Sequence, residues 1–320
     1  MNGEPRKIEV FEPFGQAMEM TKTILFRPFD LTKWLVVGFA AFLAGFVSGN
    51  GGGGFNGFNF PGPDDTEIKT SFRSTASDFA SQVQQWETVF VVVLVAIFLV
   101  VFAIVLVLWW VGSRGQFIFT DCLVRNRAAI GVPWTEFKRE GNSYFVFFVL
   151  SVFVCLAVIA VLALPVAIPL IRGKETDGMF WTALVIVGLL FVLFVVAFAI
   201  CTQFMVPIMY RQRCRALDAL KKNIALLAAY PIPIILYTLF LVVLFLAIAI
   251  VSCVATCLTC CIAALPYIGT VILLPLHVFV ASYRLLFLRQ FGPDFDVWAN
   301  LPLPQPVAPL APPPGPIAPG

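Results

Sequence analysis

The stretch VFVVVLVAIFLVVFAIVLVLWWV, residues 89–111, runs for 23 residues without a charged, hydroxyl or amide side chain. About 20 such residues in a helix cross the roughly 30 Å hydrocarbon core of a bilayer. The composition of the whole chain agrees, because 60% of its 320 residues are hydrophobic and only 12% are charged. A soluble domain carries about 25% charged residues, and a soluble chain this apolar would expose large patches and aggregate. The sequence therefore predicts a membrane protein.

Five further apolar stretches predict five more spans, so we expect an all-α, polytopic bundle of six transmembrane helices over residues 31–290. The predicted spans are Leu31–Ser48, Val89–Val111, Tyr144–Ile171, Phe180–Met209, Pro231–Ala264 and Tyr267–Leu288. The first of these has the shortest apolar stretch, although Asp30 can cap the start of its helix. Pro266 and Gly269 favour a turn between the last two spans, which predicts a membrane hairpin.

The basic residues predict the orientation of these spans. With six spans, 17 of the 21 Lys and Arg residues fall on the side that holds both termini and the connections near 112–143 and 210–230. Lys and Arg accumulate on the cytoplasmic side of membrane proteins. We therefore expect both termini in the cytoplasm and the protein in a bacterial cytoplasmic membrane. The first 30 residues are polar and show no cleavable signal peptide.

The regions outside the spans divide the chain into three parts. Residues 1–30 are expected to form an amphipathic cytoplasmic segment, and residues 49–87 an external loop that opens with a Gly-rich run. Residues 291–320 end in a Pro-rich tail, for which we expect extended, disordered chain rather than helix or strand. Docking of this tail to a proline-binding partner is the alternative.

Amphipathic segments precede the predicted hairpins and predict interfacial helices. One such face consists of Phe14, Ala17, Met18, Thr21, Ile24 and Leu25, and another of Leu217, Leu220, Ile224 and Leu227. The region Phe117–Ala129 is a weaker third case. The pattern suggests three repeats of an interfacial helix followed by a transmembrane hairpin. The alternative is that any helix joining two spans is amphipathic.

Polar side chains within the predicted spans are the candidates for a functional site, because ionisable groups in lipid are costly. The candidate intramembrane polar site consists of His277, Gln203, Arg284 and Pro275. Pro275 permits a kink that aims His277 into the bundle, and Arg284 lies two helical turns further along the same face. The simpler alternatives are a neutral His277 bonded to a neighbouring carbonyl and an Arg284 that snorkels to the headgroups.

The sequence predicts no catalytic, cofactor or metal site. Cys253, Cys257, Cys260 and Cys261 share one helical face, but we expect them to serve close helix packing rather than metal binding, since no second ligand set converges on them. No phosphate-binding glycine loop, nucleophile elbow or HExxH pattern occurs. The net charge of +3 argues against a nucleic-acid partner, whereas the basic residues favour membrane lipids.

Three short motifs resemble a poorly characterised family of bacterial six-span membrane proteins. They are the residues from Ile24 to Leu35 (ILFRPFDLTKWL), from Gly141 to Phe145 (GNSYF) and from Leu288 to Pro293 (LRQFGP). That family in turn resembles the membrane domain of glycerophosphodiester phosphodiesterases. The resemblance implies the six-span topology and lipid-associated work, but no enzymatic activity, because the soluble phosphodiesterase barrel is missing.

The leading hypothesis is a non-enzymatic integral membrane protein that acts as a scaffold or accessory subunit, binds lipid, and forms a homo-oligomer or part of a membrane complex. The second is a carrier or channel for a lipid-like or apolar solute, with a pocket lined by His277, Gln203 and Pro275. The third is a membrane accessory to a separate phosphodiesterase.

Overall fold

The computed structural model describes residues 8–47, 87–171, 178–258 and 266–300. Every regular element within these ranges is a helix, so the all-α prediction is confirmed. Most of the predicted external loop, the end of the predicted Pro-rich tail, and Cys260 and Cys261 lie outside the described residues.

Eleven α-helices and a 3₁₀ turn follow one another in the described ranges. They are α1 (Glu12–Phe26), α2 (Leu31–Gly45), α3 (Glu87–Val124), α4 (Gly131–Glu136), α5 (Lys138–Ile171), α6 (Gly178–Thr202), α7 (Met205–Gln212), α8 (Ala216–Ala229), α9 (Pro231–Leu258), α10 (Pro266–Ile272), α11 (Leu274–Arg289) and the 3₁₀ turn Val297–Asn300.

Four stretches of helix are long and apolar enough to cross a membrane. They are Val91–Val124, Lys138–Leu164, Leu184–Gln212 and Pro231–Leu258, which correspond to the second to fifth predicted spans. The first predicted span forms the 15-residue helix α2, about 22 Å long at 1.5 Å per residue. The sixth is divided at Leu273 between α10 and α11. The described helices therefore fit a membrane-embedded protein with four long spans, and the count of six remains a prediction.

Proline explains two breaks in the predicted spans. The fourth span is interrupted at residues 203 and 204, between α6 and α7, and Pro207 has no N–H to donate to the carbonyl of residue 203. In the same way α11 begins at Leu274 with Pro275 in its first turn. Proline is well tolerated there, since the first-turn N–H groups have no helical partner.

The helix α3 is longer than its predicted span, and its additional turns pack against α2. We expected a connection from about residue 112, but α3 continues to Val124. Built onto Gly115, a Cβ would come within 2.7 Å of the Leu43 and Ala44 backbone, so only glycine allows this close approach of the two helices. At the opposite end of α2, Lys33 donates a hydrogen bond to Asn126 over 2.7 Å. The helix α2 therefore lies along the final part of α3, not along its apolar stretch.

The hydrophobic core gathers at one end of the long helices, which we call the core end. It contains α1, α2, α7, α8, α11, the last turns of α3 and the first turns of α9. Away from this end the long helices leave their apolar side chains exposed, for example Val92 at 61%, Leu189 at 68% and Leu246 at 64%. These side chains suit a lipid environment, in which their exposure carries no hydrophobic penalty.

The amphipathic helices α1 and α8 belong to the core end. In α1 the predicted residues Ala17, Thr21, Ile24 and Leu25 are buried, but Met18 is exposed. In α8 the residues buried against neighbouring helices are Ala216, Ala219, Asn223 and Leu226, which lie one position before the predicted apolar face. Small side chains allow α8 to pack closely on its neighbours, which leaves Leu217 and Ile224 exposed.

Candidate functional site

A cavity of about 40 Å³ lies at the core end, and two of the four predicted site residues line it. His277 and Arg284 face it from α11, as their spacing of two helical turns predicts. The remaining polar wall is provided by Gln116 and Thr120 of α3. No sequence pattern indicated these two residues, because the end of α3 is predicted to be a connection.

The polar side chains of α3 have hydrogen-bond partners. The Gln116 amide donates to the Ala44 carbonyl over 2.6 Å, and the Thr120 hydroxyl donates to the Gln116 carbonyl over 2.8 Å. Gln116 thus attaches α2 to α3 from within the cavity wall. The single proton of the Thr120 hydroxyl is used in this way, whereas the Gln116 amide, with two N–H groups, retains a second donor beside its oxygen acceptor.

A hydrogen bond to its own helix fixes the orientation of His277. Its Nδ1 lies 3.0 Å from the Leu273 carbonyl oxygen, which is the neighbouring carbonyl that the simpler prediction required. A carbonyl only accepts, so Nδ1 carries the proton.

The other two predicted residues, Gln203 and Pro275, lie outside the cavity wall. Gln203 occupies the break between α6 and α7, where its Oε1 accepts a 3.4 Å hydrogen bond from Thr238. Its Nε2 is buried and has no hydrogen-bond partner among the described residues. Pro275 helps to start α11. The pocket predicted from His277, Gln203 and Pro275 is therefore formed in a different way, around His277 and Arg284.

Arg284 is the basic side chain of the cavity, and it is half-buried. Within the described part of the chain its Nε is buried and has no hydrogen-bond partner, although we expected the side chain to snorkel. The Tyr237 hydroxyl lies beside the guanidinium. Tyr237 is fully buried, and its ring stacks on Phe287 with centroids 4.1 Å apart.

A second polar group at the core end, which we call the Asp121 cluster, consists of Asp121, Arg125, Arg127, Glu136, Tyr210 and Arg213. The Asp121 carboxylate is fully buried and is paired with Arg125 at 2.9 Å and Arg127 at 2.8 Å. It also accepts a 2.9 Å hydrogen bond from the Tyr210 hydroxyl of α7.

Glu136 extends the Asp121 cluster. Its carboxylate pairs with Arg125 at 2.9 Å and also with Arg213, whose guanidinium lies 3.8 Å from the centre of the Phe137 ring. The cluster therefore joins α3, α4 and the α7–α8 connection. In sequence these arginines indicate topology only, because the two carboxylates lie far from Tyr210 and Arg213 along the chain.

Within the described residues, no group of three or more His, Cys, Asp and Glu side chains could hold a metal ion. Cys253 and Cys257 are exposed on α9, so the predicted packing role for this cysteine face is not seen at these two positions.

Comparison with known proteins gives one family and no named relative. A family model described as "Family of unknown function (DUF7544)" matches residues 8–274. No curated protein and no solved structure matches the chain. The match supports an uncharacterised family, whereas the resemblance to phosphodiesterase membrane domains stays a prediction from short motifs.

Proposed function

The chain belongs to DUF7544, a family of unknown function, and we propose that it is a non-enzymatic integral membrane protein that acts as a scaffold or accessory subunit. We further propose that it sits in a bacterial cytoplasmic membrane with six spans and both termini in the cytoplasm. The distribution of the basic residues supports this orientation.

The observation that carries the scaffold proposal is the contrast between the two ends of the long helices. At the core end, buried ion pairs and packed aromatic rings hold the helices together. Further along, the apolar faces of α3, α6 and α9 are exposed. A tightly packed core end with exposed apolar helix faces beyond it presents those faces to lipid and to other membrane helices.

Site-specific photocrosslinking in native membranes tests the scaffold role. A crosslinker is placed at Val92, Val95 and Leu99, which share one face of α3, and at Leu94 and Val101 on the opposite face as controls. All five side chains are exposed. A scaffold predicts crosslinks to the same protein, a partner or a second copy, from one face only. Lipid adducts alone from both faces would contradict it, as would hydrolysis of glycerophosphodiesters by the purified protein.

A carrier for a lipid-like solute is the second candidate, favoured by the cavity beside His277 and Arg284. Proteoliposomes that take up a fluorescent lipid analogue would support it. Replacement of His277 and Gln203 by alanine should then reduce uptake, and unchanged uptake by the double variant would count against a carrier that uses this site.

A further inference from the structure

The positive charge of Arg284 lacks the compensation that the other interior arginine at the core end receives. Arg114 is 5% exposed, lies 4.3 Å from the Trp110 ring centre and donates to Asn142. Arg284 has no ion pair and no cation–π contact in the described residues, and its Nε has no partner there. A guanidinium in apolar surroundings is unfavourable unless it is paired. A negatively charged partner from outside the described chain would satisfy it.

A second buried polar group lies beside Arg284. The Tyr237 hydroxyl is in contact with the guanidinium, and within the described ranges it has no acceptor for its proton. Arg284 Nε and the Tyr237 hydroxyl, from two helices, therefore both lack an acceptor at this place. Buried donors of this kind are rare in native structures and call for an explanation.

The cavity beside Arg284 offers space for that acceptor. Its 40 Å³ corresponds to about three waters by the usual requirement for a hydrated cavity. The oxygen atoms of one phosphate group need a volume of the same order. A guanidinium binds phosphate through two parallel hydrogen bonds.

We propose that Arg284 binds the phosphate group of an anion in this cavity, with the Tyr237 hydroxyl positioned against its guanidinium. Two sources share this chemistry, namely the headgroup of an anionic lipid and free phosphate. The site does not depend on the scaffold role, since a phosphate could occupy it in a scaffold or in a carrier.

Binding is measured on the full chain, delipidated in a maltoside detergent, by native mass spectrometry and thermal shift. The probes are inorganic phosphate, dioleoyl phosphatidic acid and, as the lipid without phosphate, dioleoylglycerol. We expect the wild type to bind one equivalent of a phosphate-bearing probe and no dioleoylglycerol. Binding of phosphatidic acid that inorganic phosphate does not displace identifies a lipid source, whereas binding of inorganic phosphate alone identifies a free anion.

The Arg284→Gln variant should bind the phosphate probe roughly 10- to 100-fold more weakly, because a charge-assisted hydrogen bond is lost. The matched control is Arg27→Gln, which removes the same charge from a side chain that is 68% exposed and should bind like the wild type. Equal binding by wild type and Arg284→Gln, or equal binding of dioleoylglycerol, would overturn the proposal.

Two further measurements separate binding from a structural role. Without anion, Arg284→Gln should melt no lower than the wild type, because it removes an uncompensated charge. A variant that unfolds or melts far lower would show that Arg284 is structural and would refute the proposal. Tyr237→Phe keeps the ring stacking and removes only the hydroxyl, so it should weaken binding about 2- to 10-fold; unchanged binding by this variant would remove Tyr237 from the site.

Discussion

At the scale of single residues, the buried charges of the core end decide which contacts are essential. Asp121 is fully buried and receives two arginines and a tyrosine hydroxyl. Such a group is strongly favourable only while all its partners remain, because the attraction must offset the desolvation of every charge involved. Removing the carboxylate charge leaves both arginines to Glu136 alone, whose carboxylate lies 2.9 Å from Arg125 and 3.9 Å from Arg127.

We expect Asp121→Asn to destabilise the protein by about 3–5 kcal/mol, the range for breaking a buried ion pair. Thermal unfolding in detergent, followed by tryptophan fluorescence, measures the change. Asp218→Asn is the matched control, since Asp218 is exposed on α8 and its replacement should change stability by less than about 0.5 kcal/mol. Similar melting temperatures for the two variants would show that the Asp121 cluster does not hold the helices together.

At the scale of helices, close backbone approach fixes α2 against α3. Gly112 and Gly115 lie one turn apart on α3. A Cβ on Gly115 would come within 2.7 Å of α2 atoms, and one on Gly112 within 2.7 Å of Phe46, the residue that follows α2. Two helices can approach this closely only where one has no side chain, and small residues provide such surfaces in membrane proteins.

The variant Gly115→Ala should cost about 1–3 kcal/mol, because the added methyl group meets backbone atoms that cannot move aside easily. Gly188→Ala on α6 is the control. No described atom lies within 4 Å of a Cβ at that position, and alanine has the higher helix propensity. Thermal unfolding of both variants checks the prediction. A Gly115→Ala protein as stable as Gly188→Ala would show that α2 leaves room for a methyl group at position 115.

At the scale of the whole molecule, charge predicts the orientation in the membrane. The core end carries the Asp121 cluster, and the basic α8 adjoins it. Lys and Arg are retained on the cytoplasmic side during insertion. The core end is therefore expected to face the cytoplasm, with the exposed apolar helices in the bilayer.

Single-cysteine labelling tests this orientation. In a cysteine-free background, Lys69→Cys should react with a membrane-impermeant maleimide in intact spheroplasts, and Asp218→Cys should react only after lysis. The natural Cys214 is a poor probe, because burial raises the pKa of its thiol and the thiolate is the reactive form. Labelling of Asp218→Cys in intact spheroplasts would reverse the orientation.

Features that depend on local composition are predicted well from the sequence, whereas features that depend on contacts between distant segments are not. The long spans were predicted because twenty apolar residues have few other stable environments. In α8 the predicted apolar face and the face buried in the protein differ by one position. Leu217 is apolar but exposed, whereas Asn223 is buried and donates to the Cys201 carbonyl over 2.6 Å. Hydrophobicity alone does not distinguish a lipid-facing leucine from a core leucine.

Local composition by itself therefore determined that this is an all-α chain with long membrane-compatible helices. Backbone N–H and C=O groups in lipid must be hydrogen-bonded within the protein, and a helix achieves this within one segment. The tertiary structure alone decided that α2 lies beside the last turns of α3, that Tyr210 meets Asp121 over 89 positions of sequence, and that Arg284 faces a cavity with Gln116. These pairings depend on close packing between segments far apart in the chain. Their physical basis is shape and charge complementarity across helices, which no single stretch of sequence contains.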